Sequence, residues 1–100
     1  MVFEDIVTLD NRSIQRVIRE CENEDLLLAL KISSEEVKEI IYRNMSTRMV
    51  ETIKEEMEFM GPVRLRDVEE AQSKIVGIIR RLEDAGEIIV ARGGGDDIIV

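Results

Sequence analysis

The side chains that most often carry out catalysis are nearly missing from this sequence. It has no histidine, so the commonest general base and the commonest metal ligand are absent. Cys21 is the single cysteine, and without a histidine to activate it we interpret it as a small buried thiol rather than a nucleophile. A lone thiol cannot form an internal disulfide and is typical of a reducing compartment. We therefore expect no enzyme activity, no metal site and no cofactor.

Two further patterns that could bind ions or phosphates have simpler interpretations. Gly93-Gly94-Gly95 lack the Lys-Ser/Thr ending of a phosphate-binding loop, so they predict a turn. The 22 acidic residues show no EF-hand spacing.

The net charge of −8 repels nucleic acids and anionic lipids. No apolar run approaches the roughly 20 residues that a membrane span requires. The sequence therefore favours a cytoplasmic domain that acts on other proteins.

The charges of most interest lie on a helix predicted to begin after Ser46. Its core-facing stripe consists of Val50, Ile53, Met57 and Met60. If each residue advances about 100° from Val50, the stripe centres near about 320°, with Arg48 at about 160°, Glu55 at about 140° and Glu56 at about 240°. Arg48 and Glu55 therefore share a solvent face, about 10 Å apart along the axis, too far for a direct salt bridge. Each is available to a second molecule, although charges that merely keep the protein soluble are the alternative.

Capping residues and apolar spacing predict four short helices ahead of this one. Residues 4–9 fit one or two helical turns, and Asp10 or Asn11 fits the cap of the next helix. Asn23 fits the cap of a third helix, whose apolar run at 26–30 is typical of a buried helix. Ser33 and Glu36 have the spacing of a capping box before a fourth helix.

The second half of the chain contains clear stop signals. Gly61-Pro62 ends the charged helix, and a long helix runs from about Arg64 to Ala85 before Gly86. Residues 87–91 fit a strand, and 96–100 either pair back as a hairpin or fray. The predicted fold is all-α, an armadillo-like bundle of about six helices. Residues 1–100 form a single domain, with the bundle over 4–86 and a short extended or disordered tail over 87–100.

In five segments the sequence resembles the C-terminal domain of the bacterial flagellar motor switch protein FliG. These segments follow the family's order and together span nearly the whole chain: Asp10–Gln15, Ala29–Lys31, Arg43–Arg48, Gly61–Arg64 and Ile79–Glu87. The resemblance implies a domain excised from a larger rotor protein. Residues 1–3 would be the remnant of a hinge, and an amino-terminal and a middle domain would be missing.

The resemblance also implies a function and a set of site residues. In this family a ridge of charges faces the stator, and its positions fall here on Lys31, Arg48, Glu55, Glu56 and Arg64. Contacts between this charged ridge and the cytoplasmic loop of the stator protein MotA would generate torque, and the domain would take part in switching the direction of rotation. Other implied partners are FliM, neighbouring FliG subunits and, through the missing domains, the membrane-ring protein FliF. The implied location is the C ring of the flagellar basal body, at the cytoplasmic face of the inner membrane.

This sequence departs from the family's pattern at three positions of the ridge region. The family's acidic pair is commonly aspartate, whereas Glu55 and Glu56 keep the sign with longer side chains. Ile32 stands where the family usually has glycine after the ridge lysine.

A winged-helix nucleic-acid-binding domain is the main alternative. The last helix, the segment 87–91, the glycine turn and 96–100 have the order of a helix and a wing. Arg80, Arg81 and Arg92 would then contact phosphates. The net charge of −8 argues against this alternative.

Overall fold

In a computed structural model of the protein, residues 1–90 are described, and all regular secondary structure in this range is helical. A 3-10 helix, Phe3–Thr8, precedes five α-helices: α1 Asn11–Glu20, α2 Asn23–Lys31, α3 Glu35–Arg43, α4 Thr47–Met60 and α5 Leu65–Asp84. The predicted all-α fold with about six helices is therefore confirmed. The turn predicted at 93–95 and the hairpin or frayed end predicted at 96–100 lie outside the described residues.

Local capping chemistry explains where several helices begin and end. The Asp10 carboxylate accepts a hydrogen bond from the Ser13 amide at 2.9 Å. Hydrogen bonding with the Ser13 side chain, and then with this amide, holds the pKa of Asp10 below its usual value. The Ser46 hydroxyl caps α4 by accepting from the Met49 amide at 3.1 Å. Gly61 ends α4 with φ at 65°, a left-handed conformation that glycine adopts without a steric penalty.

Two predicted caps are wrong by one residue. Ser34, not Ser33, caps α3 by accepting from the Val37 amide at 3.2 Å. The Ser33 hydroxyl instead donates to the Ala29 carbonyl at 3.2 Å, at the end of α2. Asn23 is the first residue of α2 rather than its cap, and its side chain instead donates to a carboxylate on α4.

The core is formed around α2, which packs against α5 and α4. α5 also packs against α1 and the 3-10 helix, so the longest helix touches most of the bundle. The buried side chains are almost all aliphatic, as the composition predicts, with Phe3 as the aromatic exception. Each fully buried Leu, Ile or Val contributes roughly 1.5–3 kcal/mol relative to an exposed one, so burial of these side chains stabilises the fold.

The segment after α5 turns back onto α1. Gly86 has φ at 73°, and the Glu87 amide donates to the Leu82 carbonyl at 2.9 Å, an arrangement that commonly closes a helix. Ile88 is then buried in the core, and Arg16 pairs with the Glu87 carboxylate at 2.8 Å. The strand predicted over 87–91 is wrong for its described part, 87–90, because this stretch is anchored to two helices and pairs with no described strand.

Candidate protein-interaction surface

α4 lies on the outside of the bundle and carries most of the charged ridge. Ile53 is its single fully buried side chain, at 1% exposure. Val50, Met57 and Met60 are half-buried beside it, which confirms the predicted apolar stripe. The opposite side of α4 therefore faces away from the bundle over the whole length of the helix.

Three ridge residues point into solvent and are unengaged. Arg48 and Glu55 are exposed on α4, and Arg64 is exposed where α5 begins. Within residues 1–90, no hydrogen bond or ion pair joins any of these three side chains to another group of the protein. Their charges are therefore free to interact with something outside the fold.

The other two ridge residues are held by contacts inside the domain. The Lys31 ammonium donates to the Met57 carbonyl of α4 at 3.1 Å. The Glu56 carboxylate accepts from the Asn23 side-chain amide of α2 at 2.8 Å. Both ridge side chains are half-buried, and both contacts join α2 to α4. The five residues are therefore of two kinds: three exposed charges without a partner within residues 1–90, and two that also hold α2 to α4.

Several features of this surface were not predicted from the sequence. Lys54 lies over the ring of Tyr42 with its ammonium 5.2 Å from the ring centre, and Lys38 lines the same region between α3 and α4. No local spacing connects α3 to α4, so only the folded chain shows this cluster. Phe59 is 91% exposed at the end of α4. The wheel calculation would have placed Phe59 at about 180°, on the face of Arg48 and Glu55.

The remaining reactive group, Cys21, is unsuited to nucleophilic chemistry. The thiol is half-buried at the end of α1, and burial, helped by the charges of Asp25 and Glu20, raises its pKa to about 12. A thiol is nucleophilic only as the thiolate, which is a very small fraction at neutral pH under these conditions. Among residues 1–90, no group of three or more His, Cys, Asp and Glu side chains is placed to hold a metal ion.

Fold and surface together define a class of protein: a small all-helical domain with a row of fixed charges along one outer helix. None of the helices in residues 1–90 is long and apolar enough to cross a membrane. The chain belongs to the FliG C-terminal domain family, whose model matches residues 1–90. The family is named for a motor switch protein and is not an enzyme family.

Curated relatives in two bacteria are similar over almost the whole chain. The flagellar motor switch protein FliG of Bacillus subtilis (strain 168) is 80% identical over 99 residues, which are 99% of this chain and 29% of that protein. The protein of the same name in Thermotoga maritima is 63% identical over 99 residues, which are 99% of this chain and 30% of that protein. The chain thus spans less than a third of the length of these relatives.

Solved structures agree with the fold. A crystal structure of FliG from H. pylori superposes with a TM-score of 0.86 at 41% identity, covering 88% of this chain and 39% of that chain. The structure of full-length FliG from Aquifex aeolicus gives a TM-score of 0.83 at 36% identity, covering 86% of this chain and 27% of that chain. The family match favours the predicted flagellar motor domain over the alternative of a winged-helix nucleic-acid-binding domain.

Proposed function

We propose that this domain is part of a flagellar rotor and generates torque through electrostatic contacts between the charged ridge and the cytoplasmic loop of the stator protein MotA. The main observation behind this proposal is that Arg48 and Glu55 are exposed. They have opposite signs, stand on the outer face of α4 and lack an internal partner within residues 1–90. A stator segment with a complementary acid and base about 10 Å apart would engage both.

The physical strength of such contacts suits a rotor. An exposed ion pair contributes about 0.2–1 kcal/mol, and at physiological salt its reach is roughly 8 Å. Charges of this kind steer a partner into place quickly and release it as readily, whereas a large apolar interface would hold it. A row of weak contacts also makes the loss of one charge tolerable and the reversal of several charges severe.

The family membership supports the rest of the proposal. The relatives are named as motor switch proteins, so this domain would also take part in reversing the direction of rotation. Its partners would be MotA, FliM and neighbouring FliG subunits, with FliF contacted through other domains of the whole protein. The domain would lie in the C ring, at the cytoplasmic face of the inner membrane.

A charge-swap experiment in the full-length protein tests the proposal. Arg48→Ala should reduce swimming modestly, whereas Arg48→Glu combined with Glu55→Arg should nearly abolish it at normal protein levels. Reciprocal reversal of an acid and a base in the stator loop should then restore rotation. Arg80→Glu with Glu69→Arg is the matched control, because it also reverses one base and one acid, both exposed, but on α5.

Two results would contradict the proposal. Full swimming by the double reversal on α4, with an unmodified stator, would show that these charges transmit no torque. An equal loss in the α5 control would show that the effect comes from general surface charge.

A further inference from the structure

Four exposed side chains form one row along the outer face of α4. This outer row consists of Arg48, Thr52, Glu55 and Phe59, at spacings of four, three and four residues. Residues at such spacings are neighbours on a helix, and at about 1.5 Å per residue the row spans roughly 17 Å. The face that carries two of the unpaired ridge charges therefore continues for one more helical turn and ends in an aromatic ring.

Phe59 takes little part in the hydrophobic core. It is 91% exposed, the highest value among the exposed large hydrophobic residues within 1–90. The other two aromatic residues differ from it, since Phe3 is buried and Tyr42 is half-buried against the core. Single exposed apolar residues are common on proteins, so exposure alone does not define a contact. Phe59 is distinguished by its place in line with Arg48 and Glu55.

The outer row offers a partner two charges and a ring with little else between them. Within residues 1–90, neither Arg48 nor Glu55 forms an ion pair. The Thr52 hydroxyl donates to the Arg48 carbonyl at 3.1 Å, so its proton is used inside the helix. Phe59 lies about 6 Å beyond Glu55 along the axis. A segment that engages both charges runs along this line, and one further turn of it reaches the Phe59 ring.

We propose that Phe59 is an apolar anchor at the end of the charged ridge and receives an apolar side chain from the partner segment that engages Arg48 and Glu55. The identity of that segment as the stator loop rests on the proposed function. The outer row fixes the chemistry of the segment. It carries an acid opposite Arg48, a base about 10 Å further on opposite Glu55, and an apolar side chain about 6 Å beyond the base.

The anchor adds a selectivity that the charges lack. An exposed ion pair forms with any opposite charge within reach, whereas a phenylalanine ring is stabilised mainly by apolar surface that covers it. Aromatic residues are enriched among the side chains that dominate binding at interfaces. One such residue buries about 150–250 Å², far below the roughly 1,200–2,000 Å² of a stable complex, so the partner can still leave.

Site-specific photocrosslinking of the full-length protein in swimming cells tests the anchor. The photoreactive residue p-benzoylphenylalanine replaces Phe59, Thr52 or Ile89 in turn, and mass spectrometry identifies the crosslinked partner and segment. Position 59 should crosslink to MotA, at a segment with an apolar side chain within one helical turn of a Lys or Arg. Ile89 is the matched control, because it is 86% exposed but lies beside α1.

Truncation of the ring measures its contribution to the contact. Phe59→Ala should lower the crosslinking yield from position 52 to MotA at least about fivefold, as for a side chain that dominates binding. Phe59→Leu should retain most of the yield, and Ile89→Ala should leave it unchanged. Because Phe59 is 91% exposed, Phe59→Ala should shift the melting temperature of the chain by less than about 4 °C, which separates lost binding from lost folding.

The outcomes separate this inference from the proposed function. Crosslinking to MotA from position 52, with none from position 59 or with an unchanged yield in Phe59→Ala, would overturn the anchor and leave the proposed function intact. Crosslinking from position 59 to a second copy of this protein, or to a MotA segment without an apolar side chain, would also overturn the anchor. Crosslinking from position 59 to MotA in a protein that swims normally after reversal of Arg48 and Glu55 would support the apolar contact and overturn the proposed function.

Discussion

Replacing Ile53 tests how much a single buried side chain contributes to holding α4 against the bundle. Ile53 is 1% exposed and is the one fully buried residue of α4. Ile53→Ala removes three buried carbons, worth about 0.8 kcal/mol each, and leaves a cavity, so the loss should be about 3 kcal/mol within the usual range of about 2–5. A domain of this size has a free energy of unfolding of about 5–15 kcal/mol, so the variant should still fold. Its melting temperature should fall by roughly 12–24 °C.

Urea unfolding followed by far-UV circular dichroism measures this loss. Ile53→Val should cost only about 0.5–1.5 kcal/mol, because it removes one methyl group. Glu51→Ala is the control on the same helix, since Glu51 is exposed and its loss should change stability by less than about 0.5 kcal/mol. If Ile53→Ala cost no more than Glu51→Ala, α4 would be held by something other than its buried face.

Two further predictions concern the cap of α4 and the lone thiol. Ser46→Ala should lower the free energy of unfolding by about 1 kcal/mol, because the Met49 amide loses its acceptor. Ser46→Asp should retain most of the stability, because its carboxylate can accept the same bond. Equal stability of Ser46→Ala and the parent protein in urea titrations would contradict this prediction. Alkylation of Cys21 by iodoacetamide at pH 8 should be about 1,000-fold slower in the folded protein than in urea, because burial raises its pKa from 9.0 to about 12 and the thiolate is the reactive form. A rate in the folded protein within about tenfold of that in urea would show that the thiol is not protected.

The helices were predictable because their signals are local. Ser46 is followed by an apolar stripe, and Gly61-Pro62 can only end a helix, so α4 could be placed with both of its ends. Ser33 and Ser34 are adjacent and chemically equivalent, so side-chain chemistry alone does not decide that Ser34 caps α3 while Ser33 bonds to the end of α2. The segment 87–90 has the composition of a strand, but the buried Ile88 and the pairing of Glu87 with Arg16 decide its conformation.

The candidate site likewise combines features that the sequence predicts with features that only the folded chain shows. The outward direction of Arg48 and Glu55 follows from helical periodicity, and the wheel calculation placed both correctly. The contact of Lys31 with the Met57 carbonyl spans 26 positions of the chain, and that of Asn23 with Glu56 spans 33, so no spacing rule could find them. The cluster of Lys54, Tyr42 and Lys38 was missed for the same reason, since it exists only where α3 lies against α4. The ridge positions assigned by family resemblance remain predictions of function.

The Lys31 contact has a mechanical consequence. A lateral pull on Arg48 or Glu55 would act on α4. This helix is attached to the bundle by the packing of Ile53 and by two bonds to α2, from Lys31 to the Met57 carbonyl and from Asn23 to Glu56. Lys31 closes α2, and α2 packs against the long helix α5, so displacement of the outer helix is resisted by the two central helices together. Under the proposed function, the external contacts are weak exposed ion pairs, so they would release before the packing that holds α4 gave way.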